Sequence, residues 1–245
     1  RLSLKDFVNC IAEYPLAFQP GSQWRYSLST DVLAHLLELV FDDDIEKIIT
    51  KLVLSPLEMI DTKYFVPQKN VNRLMSIYGE PDLDKVTEEQ TPETNLKKAV
   101  LDDFYPYEKE IYKARGGHGL FSTLDDYSKF AEMLLTGEDR SGRPMISKTM
   151  LKFALKNRIQ NDQIPIVIDQ TPHYGYGWNL IGRIMVNNDE GLIAGNNGEF
   201  GWSGAASTYF WVDPELKVSG VVMSQVLGST IPLGENIRAG SYTLV

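Results

Sequence analysis

Apolar residues at helical spacing begin almost at the first position. Leu4, Phe7, Val8 and Ile11 recur three and four apart. Ser3 and Asp6 form a capping box in which Asp stands for Glu, so a helix is predicted from Leu4 towards Pro15. Residues 15–21 then read as an extended segment closing in a Pro-Gly turn. Trp24-Arg25-Tyr26-Ser27 leads into a second helix with Val32, Leu33, Leu36, Leu37, Val40 and Phe41 as its apolar stripe and Ser29 or Thr30 as its cap. Asp42-Asp43-Asp44 is placed to cap a third helix over residues 45–54, where negative charge suits the positive end of the dipole. A turn at 56–62 and short strands at 63–66 and 71–78 follow. From 80 to 110 charge is dense and apolar periodicity is lost, which predicts a surface excursion.

Gly116-Gly117-His118-Gly119 breaks the chain sharply. Thr123 and Asp126 then box the start of a helix with Tyr127, Phe130, Ala131, Leu134 and Leu135 on one face and Gly137 at its end. A further helix is predicted over 147–157. Beyond it the pattern turns to alternation: Tyr176, Trp178 and Leu180 on one face, and strands at 184–186 and 192–194 around a polar turn. Thr208 to Val212 and Val218 to Val222 flank Asp213-Pro214, and Pro232 opens a final helix through Leu244. Helices, then antiparallel strands, then one helix predict an α+β fold, an antiparallel sheet packed by helices, without the strand–helix alternation of a doubly wound fold. One domain is expected, helical to about residue 160 and β-rich over about 174–230.

With 245 residues the chain can bury a sizeable core. A net charge of −9 argues against nucleic acid as a partner, since phosphate binding needs a basic surface. No apolar run is long enough for a membrane-spanning helix, and no signal peptide precedes the first helix, which fits a cytoplasmic location. Cys10 cannot form an internal disulfide and reads as a small core residue among Phe7, Val8 and Ile11.

Chemistry is harder to place. His35, His118 and His173 are scattered and form no zinc motif, so neither metal nor cofactor is expected. His35 lies between stripe residues and is given no role. The Gly116–Gly119 run lacks the Lys-Ser/Thr of a phosphate loop and reads as a chain reversal. No Ser-x-x-Lys occurs; Thr94/Lys97 and Thr149/Lys152 have the spacing but read as polar surface. Gly201-Trp202-Ser203-Gly204-Ala205 approaches a nucleophile elbow, yet that motif needs a helix after it and a histidine downstream, whereas a strand follows and His173 lies upstream. Two readings of this stretch stay open: a packed hairpin, or a strand entrance whose bare backbone meets a substrate oxygen. Tyr26 is either a packed aromatic or, beside positive charge, a proton shuttle.

Taken in order, these pieces resemble the serine β-lactamase-like family. Within it they are most similar to the class VIII carboxylesterases, which share a fold with class C β-lactamases and D-alanyl-D-alanine peptidases. Pro15-Leu16-x-Phe18-x-Pro20-Gly21-x-x-Trp24-x-Tyr26-Ser27 resembles the segment with the Tyr-x-Asn motif, and Asp31-Val32-Leu33 fits the helix behind it. Gly116 to Thr123 with Asp125-Asp126-Tyr127 resembles the family's Gly-Gly-x-Gly-Leu-x-Ser-Thr turn and helix. Trp202-Ser203-Gly204 falls where the family carries Lys-Thr-Gly, or His/Trp-Gly-Gly in the esterases.

The resemblance implies an acyl-enzyme mechanism in which a serine attacks an ester or amide carbonyl. Tyr26 would be the base and the N–H of Ala205 the second oxyanion donor. Leu28, Trp202, Ser203 and Gly204 would line the substrate pocket, with His118 near its rim. Three departures bear on this. The Ser-x-x-Lys nucleophile is missing, which implies the C-terminal part of a longer enzyme, inactive alone. Leu28 replaces the Asn of Tyr-x-Asn. Trp202 replaces the lysine that would pair with a carboxylate. The last two favour small neutral esters. A β-lactamase or D-Ala-D-Ala carboxypeptidase relative is the alternative within the fold, and a non-catalytic binding module the alternative outside catalysis. The partners expected are a small ester or β-lactam-like substrate, and an N-terminal segment or second chain covering an open sheet edge and bare apolar surface.

Overall fold

The computed structural model describes residues 2–80, 97–99, 108, 114–229 and 231–244. The predicted excursion at 80–110, including Thr94, lies mostly outside these residues. Packing divides the chain into two units, residues 1–74 with 102–126 and residues 75–101 with 127–245.

The first unit opens with α1 (Leu4–Ala12), capped as predicted: the Ser3 hydroxyl accepts from the Asp6 N–H at 3.1 Å and donates to its carboxylate at 2.6 Å. Next come α2 (Ser29–Phe41) and α3 (Ile45–Ile49), the latter running into a π-helical turn at Thr50–Leu54. Leu4, Ala34 and Ile45 form the core where these helices meet, with Leu37, Ile49 and Ala114 packed on it.

Several expectations are corrected here. Cys10 is exposed, because α1 turns the Leu4 side inward. The α2 stripe points outward: Val32, Leu33, Leu36, Val40 and Phe41 are exposed, and the buried positions are Asp31 and Ala34. The residue capping α2 is Leu28, without a side-chain bond. Of the aspartates before α3, Asp44 takes the N-cap position as expected but makes no side-chain bond to the helix N–H groups. Asp42 turns the chain in the left-handed region (φ 51°), Asp43 binds Lys47 at 2.8 Å, and Glu38 accepts from the Ile45 N–H at 3.2 Å. The strand predicted at 63–66 reduces to a single bridge between Lys63 and Phe121. Residues 68–73, which overlap only the start of the strand predicted over 71–78, form a 3-10 turn; Pro67 ahead of it has no N–H to join a ladder.

The second unit contains β1 (Tyr78–Gly79), the helix α5 (Lys148–Ala154) capped by Ser147, and the hairpin β2 (Ile166–Ile168) with β3 (Thr171–His173). The helix α4 (Leu124–Thr136) crosses the division of the chain and ends at Gly137 (φ 81°). The β2–β3 turn places Asp169 and Gln170 at positive φ (48° and 66°), without the Asn-Gly signal that would reveal it in sequence. A five-stranded antiparallel sheet follows in the order β4 (Tyr176–Trp178), β5 (Arg183–Met185), β6 (Phe200–Ser203), β7 (Tyr209–Asp213), β8 (Val218–Val222). The strand predicted at 192–194 is absent; β5 pairs with β6 instead. A short β9 (Val226–Leu227) pairs with β1, and α6 (Leu233–Ser241) ends the fold.

Strand alternation gives the sheet two faces. Phe200, Trp202, Phe210 and Val212 share one, where Tyr127 of α4 meets Phe210 edge-on at 5.6 Å. The other carries Tyr176, Arg183, Tyr209 and Trp211 beneath α6. There Arg238, fully buried, donates to both oxygens of Glu199 at 2.6 Å. The Tyr242 hydroxyl binds Glu199 and Asp213, and Asn196 donates to Asp213 at 2.8 Å. Burial pushes the Glu199 carboxyl up, an effect Arg238 only partly offsets. Arg183 donates to Glu235 at 2.5 Å and to Nδ1 of His173 at 2.9 Å, so that imidazole must be neutral with its proton on Nε2.

Two predictions follow from this network. Arg238→Met strands the buried Glu199 carboxylate without its cation and should cost roughly 3–5 kcal/mol in urea unfolding. Burial, then the Arg183 guanidinium, holds His173 below its usual value of 6.5. The unfolded chain therefore takes up this proton first as pH falls. His173 costs no stability above about pH 7, and stability is lost as pH drops through the unfolded value. Thermal melts from pH 7 to 5 should decline more steeply for the native protein than for His173→Gln.

Candidate active site

In the first unit the site begins at a turn. The Ser22 N–H donates to the Gln19 carbonyl at 3.0 Å, and Gly21 takes the positive φ (83°) that this Pro-Gly turn requires. The chain then runs to α2 through Tyr26 and Leu28, which are 48% and 53% exposed. Ser27 accepts from the Ser29 N–H at 3.2 Å, and the Leu28 carbonyl accepts from the Asp31 N–H at 3.0 Å. Tyr26 and Leu28 thus stand at the N-terminal end of α2, displayed outward.

The Gly-rich turn is locked to that same helix end. Asp31 is buried and accepts from the Gly116 N–H at 3.0 Å. A Cβ at Gly116 would lie 2.1 Å from the Thr30 carbonyl oxygen, so only glycine allows the approach. His118 sits exposed on this turn. A second carboxylate holds the segment after it: Asp126 accepts from the Asp61 N–H at 2.8 Å and the Thr62 hydroxyl at 3.0 Å. Tyr26, Leu28 and His118 therefore belong to one framework. Its positioning groups, Asp31 and Asp126, were marked in the sequence by the Asp31-Val32-Leu33 segment and the Thr123–Asp126 capping box, which give no sign of the bonds to Gly116, Asp61 and Thr62.

In the second unit the small-residue stretch is resolved into strand and turn. The sequence reading placed Gly201 to Ala206 ahead of the strand; in the structure Gly201-Trp202-Ser203 already belong to β6. Gly201 faces Trp211 across the ladder, and Ser203 faces Tyr209. A turn over 204–207 joins β6 to β7. Its ends are tied by Gly204 N–H to the Thr208 carbonyl at 2.9 Å and Ser207 N–H to the Gly204 carbonyl at 3.0 Å. The Ser224 hydroxyl donates to the carbonyls of Ala206 (3.1 Å) and Ser207 (2.8 Å), and the Val226 N–H donates to Ala206 at 3.1 Å. Ser203, Gly204 and Ala205 are exposed, and among the described residues nothing accepts from the Ala205 N–H. A fixed, exposed amide of this kind can donate to a developing oxyanion at no reorganisation cost. A hairpin follows Ser203 where an elbow needs a helix, so the nucleophile-elbow reading fails.

Trp202 is half-buried, and its ring meets that of Trp178 edge to face, centroids 4.6 Å apart. Trp178 was read only as an alternating strand residue. Among the described residues no cluster of His, Cys, Asp and Glu is arranged to hold a metal ion.

The Beta-lactamase family model matches residues 2–240. The chain belongs to this family. Protein Rv1367c of Mycobacterium tuberculosis is 28% identical over 208 residues, 83% of this chain and 49% of that protein. Esterase EstB of Burkholderia gladioli is 24% identical, covering 98% of this chain and 61% of its own length. The solved structure of EstCE1, described as a hydrolase with promiscuous acyltransferase activity, superposes with a TM-score of 0.78 at 21% identity, over 98% of this chain and 62% of that one. The chain thus spans about half to three-fifths of these relatives' lengths. The family assignment and the fold match the expected helix-packed antiparallel sheet of the β-lactamase/transpeptidase type.

The geometry of β6 makes one further prediction. A Cβ on Gly201 would fall 2.0 Å from the Phe210 carbonyl oxygen. Gly201→Ala should lower stability by roughly 1–3 kcal/mol, read as a shift of the denaturation midpoint.

Proposed function

We propose that this chain supplies the proton-handling and oxyanion-binding parts of a serine carboxylesterase that cleaves small neutral esters through an acyl-enzyme. The observation that carries the reading is that exposed Ala205, two residues beyond a strand end occupied by Trp202 and Ser203, has an N–H with no acceptor among the described residues. Tyr26, displayed ahead of α2, takes the proton of the attacking serine and returns it to the leaving alcohol. The Ala205 N–H holds the carbonyl oxygen as negative charge develops. The family resemblance assigns substrate contacts to Leu28 and His118 in the first unit and to Trp202, Ser203 and Gly204 in the second. The serine and lysine come from a part of the gene product outside this sequence, and this chain alone is inactive. That part would also cover the exposed α2 stripe and the β8 edge.

Relatives named as esterases support this assignment, and so does the local chemistry. Trp202 offers no countercharge to a β-lactam or peptide carboxylate, and Leu28 offers no side-chain hydrogen bond to a substrate amide. The β-lactamase and carboxypeptidase readings are disfavoured for those two reasons.

The full-length gene product should hydrolyse p-nitrophenyl butyrate far faster than nitrocefin and should be labelled covalently by a fluorophosphonate. Tyr26→Phe should lower kcat by roughly 10²–10⁴-fold with the thermal midpoint unchanged. Absence of label together with absence of ester turnover would favour a non-catalytic binding module.

A further inference from the structure

Trp178 lies outside the residues assigned above, yet its setting is built with care. Its N–H donates to Asn157 Oδ1 at 3.1 Å, and its carbonyl accepts from the Arg158 N–H at 2.7 Å. Asn157 is itself held, accepting from the Ile159 N–H at 3.0 Å and donating to the Ile159 carbonyl at 2.9 Å. The other side of β4 is paired to β5. The backbone of Trp178 is therefore clamped from both sides, and its ring is set edge-on against Trp202 at 71°. An edge-to-face pair of this kind fixes both ring planes.

The ladder brings one cation beside this pair. Arg183 lies opposite Trp178 in the β4–β5 register and opposite Gly201 in the β5–β6 register. It is committed to Glu235 and His173, and Arg238 to Glu199. The Arg158 guanidinium stacks on Phe153 at 4.0 Å and donates to the Phe153 carbonyl at 2.5 Å. These three arginines are thus paired elsewhere, and Trp202, next to the exposed residues 203–205, presents an aromatic ring.

We propose that Trp178 is a positioning residue that fixes the Trp202 ring as the wall of a subsite for an apolar chain attached to the ester. The proposal rests on the esterase reading. An unbranched alkyl group packs on the Trp202 ring, gaining roughly 0.8 kcal/mol per buried methylene. Trp178 acts through Trp202 and does not touch the reacting atoms. The chain can belong to the acyl group or to the alcohol, and the two are separable by experiment.

The test uses the full-length gene product with two ester series. One varies the acyl chain as p-nitrophenyl acetate, butyrate and octanoate; the other varies the alcohol as ethyl, butyl and hexyl acetate. Trp178→Ala should flatten the chain-length preference of one series about tenfold in kcat/KM, mainly through KM, and leave acetate and ethyl ester turnover near native. Trp178→Phe, which retains an aromatic edge, should restore most of the preference. A uniform loss across both series, or an unchanged preference in both, overturns the proposal. A parallel fluorescence titration with hexyl phenyl ketone, a non-hydrolysable ester isostere, separates the two levels of the account. If the native protein turns over no ester yet binds the ketone at least tenfold tighter than Trp178→Ala does, the esterase reading fails and the aromatic subsite stands. If the two proteins bind the ketone alike, the subsite fails whatever the esterase result.

Discussion

The ladder between β6 and β7 is the constraint on which the second unit depends. It pairs Phe200 with Val212 and Ser203 with Tyr209, so the last paired residue of β6 is Ser203. Everything after it must turn back within the residues 204–208. Ser207 makes this turn by adopting a positive φ (60°), and Ser224 with Val226 anchors its far side. These ties occupy the carbonyls of Gly204, Ala206 and Ser207, and the Ala205 N–H has no acceptor among the described residues. A donor held by bonds to its neighbours needs no rearrangement when charge appears in front of it. The same ladder requires Gly201, because the Phe210 carbonyl occupies the space of a side chain.

The polar layer beneath α6 supports this hairpin from behind. Glu199 lies one residue before β6 and Asp213 ends β7, so both strands deliver buried carboxylates to the same helix. Arg238 and Tyr242, one turn apart on α6 and its cap, bind them. An all-apolar interface would be no less stable in principle. The ion pair instead couples the helix to one register of the β6–β7 ladder, since a slip by one residue would send Asp213 to the opposite face.

Much of this was legible in the chain. The caps at Ser3 and Thr123, the helix start near Ser147, the stop at Gly137, the Asp213-Pro214 turn and the final helix at Pro232 each follow from local chemistry. The structure repeats them. What was not legible depends on long-range contacts. Periodicity located the α2 stripe but could not say which face of α2 meets α1 and α3; Ala34, small enough for close packing, decides that. Pairing of β5 with β6 across a loop of irregular backbone has no local signature, nor does the hairpin at Asp169-Gln170. In the site, motif order drew attention to Tyr26, Leu28, His118 and residues 202–205. The anchors Asp31 and Asp126 and the clamped Trp178 emerged only from three-dimensional hydrogen bonding. The Asp31 bond to Gly116 spans 85 positions of sequence, beyond any pattern a single chain displays.

The proposed substrate residues Trp202 and Leu28 act through their side chains, and the proposed oxyanion donor through its backbone. That donor is therefore the part of the account least dependent on side-chain identity, and it can be tested directly. A crystal structure of the full-length gene product inactivated by an alkyl phosphonate would locate the phosphonyl oxygen. The account predicts that oxygen at about 2.7–3.1 Å from the Ala205 nitrogen, the range of an oxyanion-hole bond. A phosphonyl oxygen bound elsewhere, with the Ala205 N–H still facing solvent, would contradict it.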